Sequence, residues 1–173
     1  SFSMDGREEE YHWAGPYLYS RQVVAVRSDS DIHTLQDLDG KVVAVQSTTK
    51  PEELFLDAEQ NGLPRLRRLY SLQNRDLIYT TLIKGYADAL AAHESAIRQF
   101  MKDYSAEYRI LDEPLMTARL GVAFAKDRSD DLPRQLTEVF KEMLADGTAR
   151  QIVSRYLDDP EHYLDGLEDS THA

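Results

Sequence analysis

Lys41-Val42-Val43-Ala44-Val45-Gln46-Ser47-Thr48-Thr49-Lys50-Pro51-Glu52 reads as a strand, a polar loop and the first turn of a helix. Four consecutive apolar residues, Val42 to Val45, suit a strand covered on both faces, because a strand with one wet face would alternate. Thr49 and Glu52 have the spacing of a capping box, and Pro51 fits a first helical turn. The helix is predicted to run to about Gln60, where Asn61-Gly62 stops it.

Outward from this unit the same pattern recurs. Towards the N-terminus lie a β-branched run, Gln22 to Val26, and a helical turn at Leu35 to Leu38 closed by Asp39-Gly40. Towards the C-terminus, Leu66 to Leu72 is a predicted strand. Asn74 to Lys84 is a helix with Leu77, Ile78, Thr81 and Leu82 on one face, ended by Gly85. Tyr86 to Ala91, Tyr108 to Leu111 and Leu120 to Ala125 read as strands, with a helix from His93 to Tyr104. Two closing helices carry Leu132, Leu136, Val139, Phe140 and Met143, then Ile152, Val153, Tyr156 and Leu157, joined at Asp146-Gly147. From Asp158 onward the chain is acidic and turn-rich and reads as a loosely held tail. Strands separated by helices of this length predict an α/β fold with a largely parallel sheet and flanking helices.

Composition narrows the function classes. The 173 residues carry 20 Lys and Arg against 31 Asp and Glu, a net charge of −11, which disfavours nucleic acid and anionic membranes as partners. There is no cysteine, so disulfides, thiolate zinc sites and cysteine nucleophiles are excluded. The five histidines show no metal-ligand spacing, and the chain has neither a glycine-rich phosphate cradle nor a nucleophile elbow. No cofactor, metal or catalytic residue is therefore expected. The opening Ser1-Phe2-Ser3-Met4 lacks an initiator Met and a signal peptide, so this terminus does not report localisation.

In an open parallel sheet, ligands sit beyond the C-terminal strand ends. Two loops occupy such positions. Gln46-Ser47-Thr48-Thr49-Lys50 offers hydroxyls and a cation suited to a carboxylate; equally, Thr49 can serve only as a cap and Lys50 as a solvated cation. At the second loop, His93 or Glu94 could face a ligand; equally, Glu94 can complement the helix dipole and His93 can be a surface residue. Near the N-terminus, Arg7 lies ten residues before Tyr17, with Trp13 between and Tyr19 after. Arg with aromatic residues can grip a carboxylate and pack on a small organic body, while each aromatic alone can be ordinary packing.

Several stretches together resemble the bacterial extracellular solute-binding proteins, family 3, the amino-acid-type periplasmic receptors of ABC importers. Phe2 to Arg7 resembles the family segment that follows the third strand of lobe 1, and the step from Arg7 to Pro16-Tyr17 is similar to its Arg-to-Pro-Tyr step. Leu35-Gln36-Asp37-Leu38-Asp39-Gly40-Lys41-Val42-Val43-Ala44-Val45 resembles its most characteristic stretch. Gly85 to Ala89, Gly121 to Lys126 and Asp146-Gly147-Thr148 follow in the family's order.

The resemblance implies a periplasmic-binding-protein-like type II fold: two α/β lobes with ligand clamped in a cleft, closure being the signal to a transporter. Residues 1–27 would hold part of lobe 1 and the first hinge strand, and 28–115 a complete lobe 2. Residues 116–158 would hold the second hinge strand and the C-terminal helices of lobe 1, and 159–173 an acidic tail. A complete member has further βα units before the position of Phe2, so the resemblance implies an N-terminally truncated chain. Its exposed lobe 1 surface would favour dimerisation or swapping.

Residue by residue, Arg7 matches the family Arg that forks a ligand α-carboxylate, and Ser3 falls near the hydroxyl that supports it. Thr48 and Thr49 replace the Gly-Thr pair of the lobe 2 loop, beside Gln46. Tyr17 is a further ligand-contact candidate. Where the family places an Asp for the ligand's α-ammonium stands His93, with Glu94 next; either Glu94 substitutes or the ligand is not a standard α-amino acid. The implied function is periplasmic binding of a small polar, carboxylate-bearing solute, with an ABC permease as partner and no chemistry performed. The same fold also serves as the extracytoplasmic sensor of signalling proteins. It occurs too in a periplasmic dehydratase, for which His93 or Glu94 would be the acid or base.

Overall fold

The computed structural model of the protein describes residues 2–167. The elements in chain order are β1 (Phe2–Ser3), β2 (His12–Arg27), a 3-10 turn (Leu35–Leu38), β3 (Val42–Gln46) and α1 (Lys50–Leu56). Then come β4 (Arg68–Leu72), α2 (Arg75–Ile83), β5 (Ala89–His93), α3 (Glu94–Asp103) and β6 (Tyr108–Ile110). The chain continues with β7 (Met116–Phe124), α4 (Leu132–Ala145), α5 (Thr148–Ser154) and α6 (Glu161–Leu164). These elements form two compact units: Arg21–Met116, and the chain ends up to Ser20 and from Thr117 onward.

In the central unit the strand order is β2-β5-β3-β4, with β6 paired to β2. β3 runs parallel to both β4 and β5, as the sequence predicts. β2 runs antiparallel to β5 and β6, so the sheet is mixed: the strands that carry the chain into and out of the unit need no crossover helix between them. The alternation of β3 explains its uninterrupted apolar run. Val42 and Ala44 pack with Ile78, Tyr79, Leu82 and Ile97 of α2 and α3, while Val43 and Val45 pack with Leu35, Leu38 and Phe55 on the other face. Each fully buried side chain of this size contributes about 1.5–3 kcal/mol.

The boundaries of β5 differ from the sequence expectation. Gly85 adopts a left-handed φ of 78°, and the amides of Tyr86 and Ala87 both donate to the Thr81 carbonyl, which closes α2 and delays the strand to Ala89. Asp88 then sets the register. Its amide donates to the Val42 carbonyl at 2.8 Å, and its carboxylate accepts from the Val42 amide at 2.8 Å.

In the terminal unit the strand order is β1-β7-β2. Phe2 pairs with Gly121 and Ser3 with Leu120, and Arg119 binds the Asp5 carboxylate at 2.9 Å and that of Glu8 at 3.1 Å. Helix α4 buries none of its residues, and Leu132 and Val139 from its predicted apolar face stay 41% and 46% exposed. Its Thr137 hydroxyl accepts from the Gly15 amide, and Phe140 packs on Tyr17 at 5.3 Å between ring centroids. The acidic tail is not loose as far as Leu167. Helix α6 buries Tyr163 and Leu164, and Leu167 is fully buried, because three apolar side chains within the acidic stretch find a surface to cover. The rest of the predicted tail, residues 168–173, lies outside the described residues.

Candidate functional site

Three βα junctions and one crossing strand converge on a cavity of about 350 Å³ in the central unit. β3 leads through Gln46, Thr48 and Thr49 to Lys50 and Pro51 of α1. β5 contributes Ala91, Ala92 and His93, and α3 contributes Ala96. The start of α2 brings Arg75, Ile78 and Tyr79, and β2 brings Gln22, directly opposite His93 in the β2–β5 register. The cavity thus lies beyond the C-terminal ends of the parallel strands, where an α/β sheet leaves loops free for ligands.

Its polar groups are uneven in sign. Arg75 and Lys50 supply two cations, and no Asp or Glu lines the cavity. Lys50 is partly neutralised by Glu53 at 2.7 Å, whereas Arg75 has no carboxylate partner among the described residues. The Gln22 side chain is 8% exposed and its amide nitrogen lies 3.1 Å from His93 Nε2. Its Oε1 is buried without a hydrogen-bond partner among the described residues. The Tyr79 hydroxyl is buried, with the Arg75 guanidinium as its polar neighbour. Burial raises its pKa and the neighbouring Arg75 charge pulls the other way. Partial desolvation of the His93 ring, then the Arg75 charge, lower its pKa below the ordinary 6.5, so at neutral pH the imidazole is uncharged and can accept from the Gln22 amide.

The threonines behave differently from the sequence expectation. Thr49 is the N-cap residue of α1 but makes no side-chain cap; its hydroxyl donates to the Gln46 carbonyl at 2.6 Å. The Thr48 hydroxyl donates to the Ser47 carbonyl, and Glu52 reaches back to the Thr48 amide instead of Thr49. Both hydroxyl protons therefore serve the loop. Thr48 holds a left-handed φ of 60°, a costly conformation for a β-branched residue.

Of the residues singled out from the sequence, Gln46, Thr48, Thr49 and His93 come together on this cavity. Glu94 does not join them: its side chain is 1% exposed and sits between Arg98 at 2.9 Å and Arg21 at 3.3 Å. As the first residue of α3 it turns away from the strand end that His93 occupies. Arg7, Ser3 and Tyr17 belong to the terminal unit. There Arg7 is exposed, its carbonyl accepting from the Trp13 indole at 3.0 Å. The Ser3 hydroxyl accepts from the Asp5 amide, and Tyr17 lines an apolar pocket with Phe140, Met143 and Ile152. Sequence reasoning missed Gln22, Arg75 and Tyr79. The strand-end rule that singled out the loops after β3 and β5 applies equally after β4, and would have found Arg75. Among the described residues no cluster of His, Asp or Glu could hold a metal ion.

A family model described as "ABC transporter, phosphonate, periplasmic substrate-binding protein" matches residues 13–161. The glutamate-binding protein GluB of Corynebacterium glutamicum is 27% identical over 159 residues, covering 88% of this chain and 52% of that protein. The histidine-binding periplasmic protein of Escherichia coli is 35% identical over 147 residues, covering 80% of this chain and 54% of that protein. The chain thus spans about half the length of the curated relatives it matches. Among solved structures, the second substrate-binding domain of GlnP from Lactococcus lactis, in an open conformation, superposes with a TM-score of 0.71 at 22% identity. That match covers 91% of this chain and 67% of the other, and speaks for the fold alone.

Proposed function

The chain belongs to the family of periplasmic substrate-binding proteins of ABC transporters, with the type II periplasmic-binding α/β fold, and we propose that it binds a small polar, carboxylate-bearing solute for ABC-type import. The observation that carries this reading is the cavity at the parallel strand ends, where Arg75 and Lys50 face a space with no carboxylate in its lining. A guanidinium on a cavity wall, with no ion-pair partner among the described residues, is a ready fork for an incoming carboxylate, and such charge-assisted bonds are worth about 1.5–3 kcal/mol each. Gln22, His93 and the apolar Ile78 and Ala91 complete a wall that can orient a small body without transforming it.

The Arg21–Met116 unit is proposed as the ligand-holding lobe 2, the terminal unit as part of lobe 1, and the periplasm as the site of action. An ABC permease is the proposed partner. By the resemblance, Arg7 is proposed as a further carboxylate-holding residue, supported by Ser3 and Tyr17. Calorimetry of the protein at its natural length against a panel of amino acids and organic acids tests the reading. A saturable ligand that also raises the melting temperature by mass action is expected. Arg75→Ala is expected to weaken it about tenfold or more. Absence of any ligand in the panel, or binding indifferent to Arg75, would overturn the assignment.

A further inference from the structure

We propose that the solute is an organic oxyanion carrying no ammonium group. This rests on the binding function proposed above and departs from the glutamate and histidine named for two relatives. A zwitterionic amino acid brings an ammonium into whatever site holds its carboxylate, and a desolvated ammonium needs a carboxylate or several strong acceptors. Among the described residues the cavity wall supplies no carboxylate and two cations. Its charged groups are Arg75 and Lys50; of the acids next in sequence to lining residues, Glu94 is withdrawn into a buried pair of contacts with Arg98 and Arg21, Glu52 accepts from the Thr48 amide, and Asp76 is not part of the lining. A second charge-bearing candidate, His93, offers a ring that is uncharged at neutral pH and already in contact with Gln22.

The wall's remaining polar capacity suits a neutral partner. Gln22 Oε1 and the Tyr79 hydroxyl are both on nine-tenths buried side chains and both belong to the cavity lining; Oε1 has no hydrogen-bond partner among the described residues, and the hydroxyl has Arg75 as its polar neighbour. Buried polar atoms of native proteins are nearly always satisfied, so a buried carbonyl oxygen left open on the cavity points to a bound molecule that completes it. A hydroxyl can donate to Gln22 Oε1 and accept from Tyr79 without bringing charge, whereas an ammonium there would stand against the Arg75 guanidinium. The oxyanion is the carboxylate proposed above; a guanidinium fork would fit a phosphonate as well, and the phosphonate pair below separates the two.

Matched pairs that differ only in ammonium against hydroxyl separate the alternatives. Isothermal calorimetry on the protein at its natural length would compare malate with aspartate, lactate with alanine, and hydroxyethylphosphonate with aminoethylphosphonate. The hydroxyl member of at least one pair is expected to bind about tenfold tighter or better, and the pair in which it does so identifies the oxyanion. Arg75→Glu is expected to remove or reverse that preference while leaving the melting temperature of the unliganded protein unchanged, since Arg75 is exposed. Tighter or equal binding of every ammonium member, or a preference that survives Arg75→Glu, would overturn the proposal while leaving a solute-binding protein. Silence from all pairs and all amino acids would overturn both.

Discussion

Gln22 and His93 stand opposite one another in the β2–β5 register, 71 positions apart in the chain, with the Gln22 amide nitrogen 3.1 Å from His93 Nε2. The contact couples the strand by which the chain enters the central unit to the end of the strand that opens onto the cavity. Burial of the ring favours its neutral form, whose unprotonated nitrogen can accept from the amide.

That preference has a pH signature. A histidine whose pKa is lowered in the folded state binds fewer protons there than in the unfolded chain, so stability rises with pH through the window below the ordinary 6.5. As pH falls from about 6.5 toward the lowered value, the His93 contribution to stability is lost. Urea denaturation of wild type and His93→Gln between neutral and mildly acidic pH should show this slope in the wild type and its reduction in the variant; parallel curves would refute the assignment.

Glu94 gives a contrasting expectation. Removing its charge leaves Arg21 and Arg98, 21% and 27% exposed, without their shared counterion. Glu94→Gln should therefore destabilise the protein by about 2–4 kcal/mol. Relative affinities within a ligand pair should not change, since Glu94 is not on the cavity. Chemical denaturation and calorimetry of the same variant check both halves.

Thr48 occupies the left-handed region at a φ of 60°. Thr48→Gly relieves this at the cost of a more flexible unfolded chain and one exposed hydroxyl contact. A net stabilisation of about 0.5–1 kcal/mol is expected. An unfolding midpoint shifted downward would show that the Thr48 hydroxyl matters more to the loop than the strain.

In the terminal unit, Gly121 leaves room for Met4. A Cβ there would stand 2.7 Å from Met4 Sδ and 2.9 Å from the Ala14 carbonyl oxygen. The methionine can swing aside but the carbonyl cannot, so Gly121→Ala should cost about 1–3 kcal/mol. Met4→Ala in the same background should recover only part of that loss, measured by thermal unfolding.

Local periodicity told most of the secondary structure. Val42–Val45 fits a strand covered twice, and the glycines at 40, 85 and 147 punctuated the helices and turns where the structure places them; Gly62 did not, because α1 already ends at Leu56 and turns fill the interval. Part of the cavity was legible for the same reason: Gln46, Thr48, Thr49 and His93 end or follow strands whose ends a parallel sheet brings together. The orientation of β2 was hidden, because nothing in Gln22–Val26 records whether its neighbour runs with it or against it.

A chain of residues thus determined here its strand and helix order, the two-faced burial of β3 and the loops that could meet a ligand, all of which follow from spacing along one dimension. Tertiary structure decided which charges those loops meet. Glu94 and His93 are adjacent in sequence, yet one carboxylate is buried between two arginines and one imidazole lines a cavity. Arg75 and Gln22 reach that cavity from elements far away in the chain. Charge pairing depends on distances in space over a few ångströms, and those distances exist only once strand register and helix packing have been set.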